Sequence, residues 1–320
     1  MYNKRKFIAF IGLKYAIIDI SGLGKEENRM DMKIPEIYKN ISKAIDYGHT
    51  SSKEPESFEF HIHDRYEIYF FISGNVNYFI EKEVYHLKYG DLLLMNSNEI
   101  HKPYFKSNSV YERIVIHFDP AVAKIFSSDQ MDLLHCFTGR PKGEQNRISL
   151  NAAQVSEVLK LFKRIENAGR NLHSGSEIIK LTSFIELLVF INRVFMDKQH
   201  VVENSNIPEK LVPIFDYINS NLSSDLSLKT LEQKFYMNRF YLSRLFKKSM
   251  GINIYEYVLF RRISDAKRLL ADGTSVTETC QAVGFNDYSN FIRTFKRIVG
   301  VPPGQYRKNS AAKSNRYYEE

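Results

Sequence analysis

LKTLEQKFYMNRFYLSRLFKKSMG (residues 228–251) and SVTETCQAVGFNDYSNFIRTFKRIVG (residues 275–300) follow one plan. In the first, Ser227 caps a helix over Leu228–Phe235, a short turn follows, and Asn238 caps a second helix over Arg239–Ser249 that Gly251 stops. In the second, Ser275 opens a helix to Val283, Gly284 breaks it, Asp287 caps Tyr288–Val299 and Gly300 ends it. Each second helix is two-faced. Leu242, Leu245 and Phe246 oppose Ser243, Arg244, Lys247 and Lys248; Phe291 and Phe295 oppose Ser289, Asn290, Arg293, Lys296 and Arg297. A helix-turn-helix reader of DNA needs this division, because one face anchors the second helix and the other enters the major groove. Any amphipathic surface helix shows it too. Two basic copies, bridged by one long helix from Asn253 to about Ala271, favour the reader. Such a rod could hold two recognition helices over adjacent major grooves, roughly 34 Å apart.

The charge agrees. Residues 207–320 hold 18 Lys+Arg against 11 Asp+Glu, whereas residues 1–206 hold 27 against 26. A basic module joined to a neutral one points to a polyanion partner, double-stranded DNA first. The chain has 320 residues, 43% apolar and 13% aromatic, which excludes whole-chain disorder and suits two or three domains. Two cysteines cannot make a disulfide framework or a structural zinc set; Cys136 and Cys280 read as buried small apolar residues. No apolar run reaches the roughly 18 residues of a spanning helix, so no membrane role and a cytoplasmic location are expected. Residues 1–31 mimic a signal peptide, but Lys14 and Asp19 interrupt it and no clean cleavage site follows. Met30 and Met32 are candidate internal starts, and this leader is set aside. No nucleophile elbow, P-loop or dinucleotide fingerprint occurs.

Moving N-terminally, Pro208 opens the helical module with a helix over Leu211–Asn221, and polar residues 199–207 read as a linker. Residues 151–198 read as two helices. The first carries Val155, Val158, Leu159, Phe162 and Ile165, and the second is apolar nearly all round through Val189-Phe190-Ile191. Such a helix buries itself in its own domain or against another chain, so this segment is a candidate dimerisation element. From Ser57 to Pro120 the texture is short β runs: Phe58–His63, Tyr66–Ile72, Val76–Glu81, Val84–Tyr89, Asp91–Met95 and Val110–Phe118. Six strands with turn signals between them predict a small antiparallel barrel or sandwich. The fold class is therefore multidomain α+β.

Residues 208–308 resemble the DNA-binding module of the AraC/XylS family. The resemblance rests on Tyr241-Leu242-Ser243-Arg244-Leu245-Phe246-Lys247 with Gly251, on Arg262 four residues before Ala266, and on Val283 through Phe291. It continues through Phe295-Lys296 and Gly300-Val301-Pro302-Pro303, where a final turn to Tyr306 and a tail over 309–320 follow. Glu232 and Tyr236 stand where the family usually has Ala and Gly, and Thr279-Cys280 where Ile-Ala is usual. The resemblance implies that Phe240, Ser243, Arg244, Ser289, Asn290 and Arg293 face bases. The chemistry suits the role: Arg pairs with guanine, Asn with adenine, and Phe packs on a thymine methyl. Phe240 could instead plug the helix start. Lys247, Lys248, Lys296 and Arg297 suit phosphate. Arg261 is expected at phosphate as well, with Arg262 bracing its helix through Asp265.

Residues 32–150 resemble a cupin-type sensor of the same family. His61-Ile62-His63 through Glu67 and Gly74 match a first cupin motif, and Gly90-Asp91 through His101 loosely match a second, with Asn96 and Asn98 as departures. His61 and His63 fall on one face of a strand. In metal cupins the equivalents of His61, His63, Glu67 and His101 would bind Fe, Mn, Ni or Zn. Three readings stay open: a metal site, a ligand pocket built from His61, His63, Glu67, Tyr78, His101 and Arg113, or plain strand packing. Tyr66, Tyr85 and His117 are further candidate lining, and an aromatic wall with a few donors suits a sugar. His86, His135 and His173 lack catalytic spacing. The resemblance implies an activator-type regulator without a cofactor, responding to a small polar effector, working as a homodimer and meeting RNA polymerase. The alternative is a metal-dependent cupin enzyme fused to a DNA-binding module.

Overall fold

A computed structural model of the chain describes residues 41–53, 64–97, 99–107, 109–170, 173–197 and 207–318. The leader, the run Phe58–His63, His61 and His63 among it, and most of the linker lie outside the described residues. A single helical turn, α1 (Ile41–Ala44), leads into β1 (Ile45–Ser52). The strands that follow are β2 (Tyr66–Ser73), β3 (Val76–Ile80), β4 (Glu83–His86), β5 (Asp91–Met95), β6 (His101–Phe105), β7 (Tyr111–Phe118) and β8 (Arg147–Ser149). They form two antiparallel sheets, ordered β1-β7-β2-β5-β8 and β4-β3-β6. Tyr69 and Phe71 of β2, Leu93 and Met95 of β5 and Tyr111 of β7 meet Val76, Tyr78 and Ile80 of β3 and Tyr85 of β4 in one core between the sheets.

Two short helices, α2 (Pro120–Phe126) and α3 (His135–Thr138), cross to the helical pair α4 (Ala152–Arg170) and α5 (Ser176–Asp197). The pair covers the outer face of the larger sheet, with Phe162 against Phe70 and Phe184 against Phe118 at ring separations of 5.5 and 4.9 Å. Helix α5, apolar nearly all round in sequence, buries Phe184, Leu187, Leu188 and Ile191 fully within its own domain. Its Asn192 side chain satisfies the Cys136 amide and the Leu133 carbonyl.

A 3-10 turn (Glu209–Leu211) starts the C-terminal module: α6 (Val212–Ser220), α7 (Leu228–Phe235), α8 (Arg239–Met250), α9 (Ile254–Ala271), α10 (Val276–Ala282), α11 (Tyr288–Val299) and α12 (Pro303–Tyr318). Ser227, Asn238, Asn253, Ser275 and Asp287 accept the capping bonds the sequence assigns them. Helix α12 runs sixteen residues and replaces the expected final turn and tail. Its first turn is held by Tyr306, whose ring packs 5.7 Å from Phe295. At Gly284 the backbone is left-handed (φ +81°), and a Cβ there would lie 2.5 Å from the Leu222 carbonyl oxygen. Only glycine lets the second helix-turn-helix close on the loop before the first.

The two lobes share a core. Phe79, Val84 and Ile100 of the sheet domain lie in one cluster with Leu211, Phe215, Leu242, Phe246 and Tyr257 of the helical module. Polar contacts surround it. Glu81 pairs with Arg261 at 2.5 Å and Lys142 at 3.2 Å, and Asp64 meets Lys267 and the Tyr306 hydroxyl at 2.8 and 2.9 Å.

Candidate nucleic-acid interface and effector cavity

Helix α8 presents its outer face at the surface. Its inner face, Leu242, Phe246 and Met250, is fully buried in the shared core. Arg244, Lys247 and Lys248 are exposed and Ser243 is half-buried. Phe240 is 65% exposed with the Arg239 guanidinium 5.2 Å from its ring centroid, so it does not plug the helix start. Helix α11 repeats the arrangement: Phe291 and Phe295 are buried, while Ser289, Arg293, Lys296 and Arg297 are exposed. Asn290 is half-buried, with its Oδ1 3.4 Å from the Thr294 hydroxyl. Lys247, Lys248, Lys296 and Arg297 lie in the last turns, where cations also offset the negative end of the helix dipole.

Two assignments on α9 change. Arg261, expected at phosphate, is turned into the lobe interface against Glu81. Its neighbour Arg262 is not paired with Asp265. It donates to the carbonyls of Leu222 and Ser224, both at 2.9 Å, and its guanidinium lies over the Phe285 ring. Adjacent positions on a helix point about 100° apart, and the sequence alone does not say which faces a neighbouring lobe.

Between the sheets lies a cavity of about 530 Å³. Glu67, Tyr78, Arg113 and His117, singled out in sequence, line it. His101 stands behind this wall. It is fully buried, its Nδ1 lies 2.8 Å from the Glu99 carbonyl and its Nε2 3.2 Å from Glu67 Oε2, and its ring stacks on Tyr78. His117 reaches the same Glu67 oxygen at 3.1 Å. Burial alone would lower the His101 pKa; the Glu67 carboxylate reverses this and holds it above the ordinary value. Burial drives the Tyr69 and Tyr78 hydroxyls well above theirs, so both stay neutral and able to donate.

Tyr66 and Tyr85 do not reach the cavity. Tyr66 packs against Phe118 and Phe137, and the Tyr85 hydroxyl accepts from the Asn146 amide. Sequence reading missed Tyr69 and Tyr111, whose hydroxyls meet at 2.9 Å, and the β1 residues Asp46 and Thr50. Strand β1 (IDYGHTSS) carries no apolar alternation, because the cavity side of that strand is polar. His61 and His63 lie outside the described residues. Among the described residues no group of three or more His, Cys, Asp or Glu could hold a metal, and no helix is long and apolar enough to cross a membrane.

Comparison with known proteins gives two family matches. The family described as an AraC-like ligand binding domain matches residues 47–185, and one described as a helix-turn-helix domain matches residues 231–309. The Msm operon regulatory protein of Streptococcus mutans is 25% identical over 273 residues, 84% of this chain and 94% of its own length. The multiple antibiotic resistance protein MarA of Salmonella typhimurium is 30% identical over 105 residues, 32% of this chain and 83% of its own. YtdP, an uncharacterized HTH-type transcriptional regulator of Bacillus subtilis, is 31% identical over 140 residues; the match spans 41% of this chain and only 18% of YtdP.

Proposed function

Since the chain belongs to the AraC family of DNA-binding transcription regulators, with a ligand-binding domain ahead of its helix-turn-helix domain, we propose that a sugar in the cavity between the sheets sets how α8 and α11 are offered to double-stranded DNA. The observation that carries this reading is the alternation along β3. Tyr78 lines the cavity, and its neighbour Phe79 lies in the core of the helical module. Strand β6 does the same: Pro103 lines the cavity, and the Tyr104 ring sits 6.1 Å from Phe79, close to Gly251 at the end of α8. A ligand that moves Tyr78 therefore pushes on the lobe interface directly. Such coupling requires the ligand to bind one arrangement better than the other.

The lining favours a sugar. Tyrosine rings supply flat apolar walls, and Asp46, Glu67 and Arg113 supply fixed acceptors and donors for hydroxyl groups. Glu67 is assigned to this polar lining, with His101 bracing it from behind, rather than to a metal, in keeping with relatives and matched families that are regulators, not enzymes. On the DNA side, Phe240, Ser243, Arg244, Ser289, Asn290 and Arg293 read bases, and Lys247, Lys248, Lys296 and Arg297 hold phosphates. Two protomers pair through α4 and α5, where Ile178, Ile179 and Met196 remain exposed. The dimer acts on DNA in the cytoplasm and meets RNA polymerase.

The test has two arms. A duplex is selected from a random library by the full chain. Arg244→Ala and Arg293→Ala are each expected to cost about 1–3 kcal/mol on it and much less on a scrambled duplex. Equal losses on both would defeat the base-reading roles. In the second arm a panel of mono- and disaccharides is screened by thermal shift, and a hit must vanish in Tyr78→Ala. If no sugar raises the melting temperature, the sugar assignment fails while the DNA reading stands.

A further inference from the structure

The turn inside the first helix-turn-helix carries a side chain that the fold does not use. Tyr236 ends α7 with φ 49° and ψ 35°, a left-handed conformation that glycine adopts freely and other residues resist. Three non-glycine residues among those described have positive φ: Glu81, Gln145 and Tyr236. For Glu81 the fold supplies the reason, because its carboxylate is buried against Arg261 and the Ile100 amide. Tyr236 has no such reason. Its residue is 96% exposed, the highest value among the exposed large apolar and aromatic residues. The strained backbone and the bare ring both count against stability, and neither is offset by packing. Strain of this kind is enriched at functional sites, and here it falls in the turn that leads into the first recognition helix.

The position of Tyr236 says what that is. It lies two residues before Asn238, the cap of α8, and four before Phe240. In a helix-turn-helix reader the start of the second helix enters the groove while the elements before it cross the sugar-phosphate backbone. Tyrosine hydroxyls are among the groups that donate to phosphate oxygens, and phosphate bonds fix register without reading sequence. We propose that Tyr236 is a DNA-contacting residue, its hydroxyl donating to a backbone phosphate beside the groove that Phe240 and Arg244 enter. The inference rests on the DNA-reading role proposed for α8, and it adds a contact outside the two recognition helices.

The experiment uses the full chain with Tyr236→Phe and Tyr236→Gly, a duplex selected from a random library by the unaltered protein, and a scrambled duplex of the same length. Melting of the free protein is followed alongside binding at several salt concentrations. Tyr236→Gly is expected to melt a few degrees higher, since it relieves the left-handed strain, yet to bind both duplexes about 5- to 10-fold more weakly. Tyr236→Phe is expected to leave melting unchanged and to lose most of that affinity, equally on both duplexes. Unchanged binding by both variants overturns the proposal. So does a loss confined to the selected duplex, or one seen with Tyr236→Gly and not with Tyr236→Phe. Arg244→Ala separates the two ideas: if it binds both duplexes normally, the reading of α8 is wrong, whereas normal binding by the Tyr236 variants alone removes only this contact.

Discussion

Breaking the ion pair between Glu81 and Arg261 tests the interface that joins the lobes. Both side chains are largely out of water, at 6% and 11% exposure. The Glu81 carboxylate also accepts from the Ile100 amide at 3.0 Å and lies 3.2 Å from Lys142, which is 41% exposed. Removing one partner from a buried pair costs about 3–5 kcal/mol because the other charge is left stranded. The two removals are not equivalent here. Arg261→Gln leaves Glu81 with the Ile100 amide and a hydrated Lys142, so about 1–3 kcal/mol is expected. Glu81→Gln keeps an acceptor for Ile100 but leaves the Arg261 guanidinium without its carboxylate, with Nε already lacking a partner among the described residues. The full 3–5 kcal/mol is expected there. In Glu81→Gln/Arg261→Gln neither charge remains to be stranded, and the loss is expected to fall below the sum of the singles by about 2 kcal/mol or more. Urea unfolding of the four proteins at pH 7, repeated in 1 M salt, measures this, and salt is expected to change the coupling little because water is largely excluded from the pair. Additive losses, or a Glu81→Gln loss below about 1 kcal/mol, would show that the pair is a solvated surface contact and that the interface does not depend on it.

Three further outcomes follow from single residues. Gly284→Ala forces a Cβ to within 2.5 Å of the Leu222 carbonyl at φ +81°; a loss of more than about 2 kcal/mol in urea unfolding is expected. Thr279 is fully buried and its hydroxyl has no partner among the described residues, so Thr279→Val is expected to raise stability by about 1 kcal/mol, and a loss would mean that the hydroxyl is satisfied. The folded pKa of His101 lies above 6.5 because Glu67 outweighs burial. Its contribution is therefore full below pH 6.5 and lost as pH rises through the folded value; His101→Gln should flatten that decline in chemical denaturation as pH rises above 6.5.

The helical module was legible almost residue by residue, because its signals are local. A side-chain oxygen caps three amides away, a glycine stops a helix, and both act within one turn. Length failed only at α12, where Pro303 reads as a turn and serves as the first residue of a helix. The sheet domain was legible where one face is apolar and illegible where the inward face is polar. Strand β1 turns Asp46, Gly48 and Thr50 toward the cavity, and no pattern of alternating apolar residues marks it. The change of role at Arg261 has a different origin. Arg261 and Arg262 both fit a basic helix next to DNA, and only the second lobe, more than a hundred residues away in sequence, decides which one turns inward.

That second lobe also explains why β3, polar at Asn77, is apolar at every position from Tyr78 to Ile80. A strand with one wet face alternates; β3 does not, because its cavity face and its outward face are both covered. The period of two then places Tyr78 and Phe79 in different cores at the closest spacing a chain allows. No hinge is needed to connect them. Any displacement of Tyr78 by a ligand must be taken up either by bending β3, which its pairing with β4 and β6 resists, or by shifting Phe79 against the core it shares with α6, α8 and α9. The second route changes how firmly the helical module is held. By linkage, whatever factor a ligand contributes to the DNA affinity of the released or held form, DNA must return to the ligand. The sign of regulation thus lies in which arrangement leaves the cavity better shaped around its guest.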